Sequence, residues 1–167
     1  MGAQNHYTYF TPAGPITIEA RAGDVTRIVL GRVGLAGACQ PSAITNAAAT
    51  QIQEYLAGKR NAFDIPLHSQ GSPFQQAVWD ALGRVPYGQS VTAAELACRI
   101  GHAGAHRAVG SAVRANPFAI VVPSHRLVRA NGQPWGDGKP ARLRAALLKM
   151  EAERLRTKKS SNPERPA

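Results

Sequence analysis

The chain has 167 residues, which suits one large or two small domains, and 44% of its residues are hydrophobic, an ordinary share for a globular protein. No stretch approaches the ~20 consecutive apolar residues of a membrane-spanning helix, and the first residues lack the charged and apolar segments of a signal peptide. Two cysteines, Cys39 and Cys98, offer neither a disulfide framework nor metal-ligand spacing. We therefore expect a cytoplasmic protein without membrane contact, metal or cofactor.

The net charge of +10 is spread unevenly along the chain. Residues 1–71 carry +1, residues 72–148 carry +6 and residues 149–167 carry +3. A second half this basic favours a polyanionic partner, and nucleic acid is the usual one. Charge alone fits a solvated, solubilising surface equally well.

The first half predicts a small α+β domain over residues 1–70. Aromatic and β-branched residues favour strands over 6–10, 16–20 and 25–30, joined by turn sequences into an antiparallel meander. Residues 31–41 are rich in Gly and Ala and predict a loop. Ser42 is placed to cap a helix that runs to about Leu56 before Gly58.

The second half predicts a mostly helical domain over residues 71–155. Ser72-Pro73-Phe74-Gln75 and Thr92-Ala93-Ala94-Glu95 are capping boxes, which predict helices to about Gly83 and Ile100. A third helix is expected from Ala105 to Ala115, stopped by Asn116-Pro117. Helix, Gly-containing turn and helix together form a helix-turn-helix pattern.

Polar residues follow a short apolar run near the end of this domain. Ile120, Val121 and Val122 predict a buried strand that Pro123 ends, which leaves Ser124, His125 and Arg126 at its exit. A loop over 129–140 and a final helix over about 141–155 come next. Residues 156–167 are polar and basic with two prolines, and predict a disordered tail.

Pro123-Ser124-His125-Arg126, followed by Leu127 and Val128, resembles the active-site signature of the alkylguanine-DNA alkyltransferases. That family has a cysteine where this chain has Ser124, and the cysteine takes an alkyl group from damaged guanine once and irreversibly. Further motifs extend the resemblance over nearly the whole chain: Thr11-Pro12-Ala13-Gly14-Pro15, Pro73-Phe74-Gln75-Gln76-Ala77-Val78-Trp79, Pro86-Tyr87-Gly88, Arg107-Ala108-Val109-Gly110 and Asn116-Pro117. The resemblance implies a ribonuclease-H-like sheet and helix followed by a winged-helix-like DNA-binding domain.

The resemblance also implies site residues. His125 matches the family's histidine, Glu151 the carboxylate that orients it, and Asn116 the asparagine before the active-site segment. Arg107 matches the arginine that enters the duplex and fills the gap left by a flipped-out nucleotide, on a helix in the minor groove. The other DNA-binding candidates are Ala105, His106, Ala108, Gly110, Arg114, Thr92 and Ala93. The candidates for the base pocket are Pro123, Leu127, Trp135, Asp137 and Gly138.

Each of these features also has a structural interpretation. The small side chains from Ala105 to Ala112 allow close approach to DNA, but by themselves they favour tight helix–helix packing. Arg107 lies near a helix N-terminus, where the dipole disfavours a cation, and this favours a task for its side chain over simple surface exposure. A phosphate contact is the alternative to intercalation.

Three positions depart from the family pattern: Ser124 for the cysteine, Ala93 for a tyrosine that helps rotate the nucleotide, and Asp137-Gly138 for a tyrosine followed by a small residue. A hydroxyl is harder to deprotonate than a thiol and is a poorer nucleophile at saturated carbon, so we expect little or no alkyl transfer. Three changes favour natural divergence, as in the alkyltransferase-like proteins that bind alkylated DNA and pass it to another pathway. A Cys→Ser variant of an active alkyltransferase stays the alternative.

The sequence thus favours a monomer that binds double-stranded DNA containing alkylated guanine, with nucleotide-excision-repair proteins as candidate partners. A Ser-His-Glu hydrolase is disfavoured because no Gly-x-Ser-x-Gly elbow is present. A helix-turn-helix protein without a pocket is disfavoured because it would have no use for Pro123, Asn116, His125 and Glu151 together.

Overall fold

The first half forms a four-stranded sheet covered by one helix in the computed structural model, which describes residues 2–161. Strands β1 (Gln4–Thr11), β2 (Gly14–Arg21) and β3 (Asp24–Leu30) form the predicted antiparallel meander. A fourth strand, β4 (Ala38–Cys39), lies inside the predicted loop and pairs parallel to β1. The sheet order is β3-β2-β1-β4, so β4 adds a parallel edge strand to the predicted antiparallel meander and the sheet is mixed.

Helix α1 (Ala43–Leu56) packs on this sheet. The side chain of Ser42 caps it as predicted, accepting a hydrogen bond from the backbone N–H of Thr45. Ile52 and Tyr55 lie one turn apart on the same face and are fully buried. Burial of a side chain such as Ile52 contributes about 1.5–3 kcal/mol, and the same face carries the phenol of Tyr55 into the interior.

The second half contains three short helices: α2 (Pro73–Gly83), α3 (Ala93–Arg99) and α4 (His106–Arg114). Both predicted capping boxes form, between Ser72 and Gln75 and between Thr92 and Glu95. Strands β5 (Val91–Thr92) and β6 (Leu127–Val128) pair in parallel. Helices α3 and α4 pack together in the order that the helix-turn-helix pattern predicts, and the α+β class is confirmed.

One hydrophobic core joins the two halves. Buried side chains on the sheet, on α1 and on α2–α4 form one contiguous cluster. The backbone joins the halves too: Ile28 N–H donates to the Pro117 carbonyl at 2.7 Å, and Ala119 N–H donates to the Ile28 carbonyl at 3.2 Å. A division near residue 70 stays a prediction.

The predicted strand over residues 120–122 was wrong. Val122 N–H bonds to the Phe118 carbonyl and Val121 N–H to the Ala119 carbonyl, so the segment satisfies its own backbone in tight turns. Ile120 has a left-handed backbone with φ of +70°. Ile120 and Val122 are buried as expected, but burial of a short apolar run does not distinguish a strand from a turn. Ser124–Arg126 then form one turn of 3₁₀ helix.

The final helix, α5, is longer than predicted and runs over Gly138–Ser161. Pro140 lies in its first turn, where a missing N–H removes no helical hydrogen bond. At the other end, Arg154 donates to the carbonyls of Tyr55 and Leu56 at 2.9 and 2.7 Å, which fastens α5 to the end of α1. The expected disorder is therefore wrong for residues 156–161, and residues 162–167 lie outside the described part.

Candidate functional site

The segment that leads into the turn Ser124–Arg126 is held in place by the side chain of Asn116. Its amide Nδ2 donates to the carbonyl of Val122 at 3.2 Å, and its Oδ1 accepts from the N–H of Phe118 at 2.9 Å. Asn116 therefore closes the tight segment ahead of Pro123 from inside. Since 3₁₀ geometry rotates successive side chains, Ser124 is half-exposed while His125 and Arg126 are buried.

His125 lies in a buried triangle with Glu151 of α5 and Tyr55 of α1. His125 Nε2 is 2.7 Å from Glu151 Oε1, and the Tyr55 hydroxyl donates to the same oxygen at 2.6 Å. The Tyr55 hydroxyl is also 3.1 Å from His125 Nε2. Glu151 and Tyr55 have no solvent exposure and His125 has 2%.

The Glu151 carboxylate also accepts hydrogen bonds from Arg126, which balances its charge, and from a backbone N–H. Arg126 donates from Nε to Oε2 at 3.0 Å and from Nη2 to Oε1 at 2.9 Å, and Gly88 N–H donates to Oε2 at 2.8 Å. A third Arg126 nitrogen, Nη1, bonds to the Val85 carbonyl. Although burial opposes ionisation, hydrogen bonds from His125 and Arg126 hold the pKa of Glu151 well below its usual range. Glu151 is therefore a carboxylate.

These protonation states determine which nitrogen of His125 is free. Burial and the hydrogen bond to Glu151 raise the pKa of Tyr55 far above its usual value, so Tyr55 stays protonated and donates. Burial lowers the pKa of His125, against the pull of Glu151, so the ring is neutral at pH 7. Because Glu151 can only accept, the ring proton lies on Nε2, and Nδ1 keeps a lone pair that can accept a proton.

A cavity of about 90 Å³ opens beside Ser124. Ser124, His125 and Asn116 line it together with residues of α4, of α5 and of the end of β3. No hydrogen bond joins the Ser124 hydroxyl to the His125 ring among residues 2–161. The arrangement can hold a small group at Ser124 next to a neutral imidazole.

Helix α4 presents a small, basic surface next to this cavity. His106, Arg107 and Ala108 are exposed at its N-terminal end, Arg114 is exposed at its C-terminal end, and Ala105 precedes it without a side-chain cap. Arg107 lies in the first turn, as predicted. An exposed helix face with small residues and terminal cations can approach a polyanion closely.

The other side of α4 contacts the loop before α5. A Cβ atom on Gly110 would lie 2.4 Å from Trp135 Cζ2, so only glycine accommodates the indole there. The Trp135 Nε1 group is buried and has no hydrogen-bond partner within residues 2–161. Asp137 in the same loop is exposed and pairs with Arg129 at 3.0 Å, and Gly138 begins α5.

Several predicted pocket residues do not line the cavity at Ser124. Leu127 is fully buried in β6, and Pro123 lines a separate cavity on the other side of the turn. Of the predicted DNA-binding residues, Thr92 caps α3 and Ala93 is buried in its first turn. No group of three or more His, Cys, Asp or Glu side chains that could hold a metal occurs in residues 2–161.

Three polar contributors were not predicted from the sequence. Tyr55 lies on the predicted helix that ends before Gly58, Gly88 lies in the Pro86-Tyr87-Gly88 motif, and Arg144 lies on the predicted final helix, and none of them was named as a site residue. Tyr55 and Glu151 are separated by 96 residues, so no local spacing signals their contact. A hydroxyl at the end of an apolar stripe is the one available hint, since buried tyrosines usually need a partner.

The comparisons with known proteins agree with one another. A family model described as 6-O-methylguanine DNA methyltransferase, DNA binding domain, matches residues 73–153. The methylated-DNA–protein-cysteine methyltransferase of Mycobacterium bovis is 37% identical over 158 residues, covering 89% of this chain and 93% of that protein. The constitutive enzyme of that name from Bacillus subtilis is 37% identical over 157 residues, covering 88% and 95%.

Solved structures show the same likeness. The O6-methylguanine methyltransferase of Mycobacterium tuberculosis superposes with a TM-score of 0.83 at 34% identity, covering 97% of this chain and 96% of that one. The M. tuberculosis OGT protein in complex with DNA gives a TM-score of 0.83 at 35% identity, covering 90% and 94%.

Proposed function

Since this chain belongs to the 6-O-methylguanine DNA methyltransferase family, we propose that it binds double-stranded DNA containing O6-alkylated guanine and recognises the flipped-out base without efficient alkyl transfer. Helix α4 lies in the minor groove in this proposal, and the lesion enters beside Ser124. The bound lesion is then passed to another repair pathway.

One observation carries the proposal: Ser124 and His125 line the same cavity, and His125 is locked to Glu151 behind it. Relatives of this chain are named as protein-cysteine methyltransferases, so their acceptor is a cysteine. In this proposal Ser124 occupies the position of the acceptor cysteine. The chain keeps the surroundings of the acceptor and lacks its thiol.

The chemistry explains the expected loss of transfer. In transfer to a thiol, the S–C bond forms as the bond from carbon to O6 of guanine breaks, and guanine leaves with a proton. His125 is suited to take the proton from a thiol, because it is neutral and its Nδ1 lone pair is free. A thiol of pKa ≈ 8.5 gives up its proton readily to such a base, whereas a serine hydroxyl does not.

DNA binding is proposed to run through α4. Arg107 is exposed in its first turn, and the small residues beside it allow close approach of the backbone. A base cannot be reached inside a duplex, so a protein that inspects O6 of guanine has to extrude the nucleotide. In this proposal the side chain of Arg107 fills the gap that the extruded nucleotide leaves. Arg114 contacts either a DNA phosphate or the lesion in the pocket.

The test uses a duplex with one O6-methylguanine and a matched undamaged duplex. Fluorescence anisotropy measures the two affinities, and mass spectrometry with peptide mapping detects a methyl group on residue 124. We expect preference for the lesion and no mass gain for the chain as it stands, and transfer to residue 124 in Ser124→Cys. Ser111→Cys, at an exposed position on α4, is the matched control and should gain no methyl group, like Cys39 and Cys98.

The second candidate is a Cys→Ser variant of an active alkyltransferase, whose parent transfers the alkyl group to its own cysteine. The locked His125–Glu151–Tyr55 triangle favours that candidate, since it retains what a thiol would need. A methyl group on Ser124 in the unchanged chain would contradict the proposed loss of transfer. Equal affinity for damaged and undamaged DNA would overturn the proposed lesion recognition.

A further inference from the structure

The cavity beside Ser124 carries an uncompensated positive charge. Arg114 of α4 and Arg144 of α5 both line it, together with apolar side chains such as Leu147 and with the uncharged Ser124, His125 and Asn116. Within residues 2–161, no aspartate or glutamate lines it. Neither arginine forms an ion pair with any residue in the range 2–161.

Arg144 is held in place by neutral groups. Its Nη1 donates to the Trp135 carbonyl at 2.9 Å, and it packs so closely on Gly136 that a Cβ there would lie 2.7 Å from Nη1. These contacts fix the guanidinium without neutralising it. Burial, followed by repulsion from Arg114, lowers the pKa of Arg144, which agrees with two cations facing one space.

Nearby carboxylates cannot supply the missing negative charge. Glu151 is occupied by Arg126, His125, Tyr55 and Gly88. Asp137 is paired with Arg129, and its side chain is 90% exposed. Two guanidinium groups that line one small cavity favour an anion with two oxygens, since a guanidinium can donate two parallel hydrogen bonds to a carboxylate.

We propose that this cavity selects O6-alkylguanines whose alkyl group ends in a carboxylate, such as O6-carboxymethylguanine, which Arg144 and Arg114 bind. The proposal rests on the proposed function, because a lesion whose O6 substituent faces Ser124 extends that substituent into the cavity. The cavity is small and lies between α4, α5 and the end of β3. This shape suits a short side group of the base better than a phosphodiester of the DNA backbone.

The test compares three duplexes that differ only at one guanine: O6-methyl, O6-carboxymethyl and the neutral O6-carbamoylmethyl of nearly the same size. We expect the carboxymethyl lesion to bind about tenfold tighter than the carbamoylmethyl lesion, as charge-assisted hydrogen bonds would give. Arg144→Met should bring that ratio close to one, and so should Arg114→Met. Arg142→Met, at an exposed position on α5, is the matched control and should keep it.

Two other outcomes would overturn the inference. A carboxymethyl-to-carbamoylmethyl ratio of one in the unchanged chain overturns the inference, while continued preference for O6-methylguanine over guanine leaves the proposed function standing. Equal weakening of all three duplexes by Arg144→Met and Arg114→Met would instead assign both side chains to a DNA phosphate. If Arg144→Met loosens the loop at Trp135, Arg114→Met decides, since Arg114 makes no side-chain hydrogen bond in residues 2–161.

Discussion

Arg126 holds Glu151 with two hydrogen bonds, from Nε to Oε2 at 3.0 Å and from Nη2 to Oε1 at 2.9 Å. Both side chains are buried, so this ion pair keeps Glu151 ionised away from water. Glu151 in turn binds the Nε2 proton of His125. Arg126 thus supports the histidine through the carboxylate and is a positioning residue.

Replacing Arg126 should destabilise the fold strongly. Arg126→Met leaves a buried carboxylate without its cation, which typically costs about 3–5 kcal/mol. Urea unfolding followed by circular dichroism measures this loss. Arg129→Met is the control, because its pair with Asp137 is exposed and should contribute about 1 kcal/mol or less. Equal effects of the two substitutions would contradict the assigned role of Arg126.

Stability should fall on both sides of neutral pH. The pKa of His125 is lowered in the fold, so the unfolded chain binds more protons below about pH 6.5, and stability drops there. The lowered pKa of Glu151 adds a further loss below about pH 4.5. The raised pKa of Tyr55 acts in the opposite direction, since the unfolded chain alone loses this proton above about pH 10.

Urea midpoints measured from about pH 2 to pH 11 test this profile. Tyr55→Phe removes the titrating phenol, so its stability curve should lose part of the alkaline decline while keeping the acid one. Glu151→Gln should reduce the loss of stability below about pH 4.5. An acid decline unchanged by Glu151→Gln would contradict the assignment of the lowered pKa to this carboxylate.

Gly88 and Gly101 form a matched pair for testing how tightly α5 is docked. Both have a left-handed backbone, with φ of +77° and +75°. A Cβ on Gly88 would clash with Leu155 Cδ1, whereas no atom of residues 2–161 lies within 4 Å of a Cβ on Gly101. Gly101→Ala should therefore lower the free energy of unfolding only by the cost of a left-handed alanine, about 1–2 kcal/mol. Gly88→Ala should lower it by measurably more, because it adds the clash.

Thermal unfolding of the two variants gives the difference directly. Adding Leu155→Ala to Gly88→Ala should recover part of the loss, because the shortened side chain leaves room for the new methyl group. If both glycine variants are equally stable, Leu155 does not restrict this turn. The contact between Gly88 and Leu155 also affects the site, since the Gly88 N–H donates a hydrogen bond to the Glu151 carboxylate.

The sequence predicted the elements whose signals are local. Capping boxes at Ser72 and Thr92 depend on residues three positions apart, and both form. The segment 120–122 was misassigned because its hydrophobicity reports burial, while its conformation depends on Asn116 and on the left-handed Ile120. Local signals indicate where an element begins more reliably than how a short apolar run is folded.

The site was predicted only where the family resemblance supplied it. His125 and Glu151 were named from the resemblance, and the structure brings them to 2.7 Å. Tyr55 and Arg144 lie on helices far away in sequence, and their meeting with the site depends on how α1 and α5 pack. The fit of Trp135 against Gly110 also joins two separate segments, and neither residue alone predicts it.

Arg107 provides the last prediction, which distinguishes intercalation from a phosphate contact. A side chain that fills the gap of a flipped nucleotide contributes only when the nucleotide is extruded. Extrusion costs a few kcal/mol, and the cost is lower for a damaged base than for undamaged guanine. A phosphate contact contributes to every duplex alike. Arg107→Ala should therefore reduce affinity for the O6-methylguanine duplex by about tenfold or more, and affinity for the undamaged duplex by no more than about threefold.

Anisotropy titrations of both duplexes at several salt concentrations test this. Arg99→Ala is the control, because Arg99 is exposed in the last turn of α3 and should weaken both duplexes equally if it contacts DNA at all. 2-Aminopurine placed next to the lesion reports unstacking, and its fluorescence increase should be smaller with Arg107→Ala at saturating protein. Equal weakening of both duplexes, with an unchanged 2-aminopurine signal and a salt slope reduced by about one, would assign Arg107 to a phosphate.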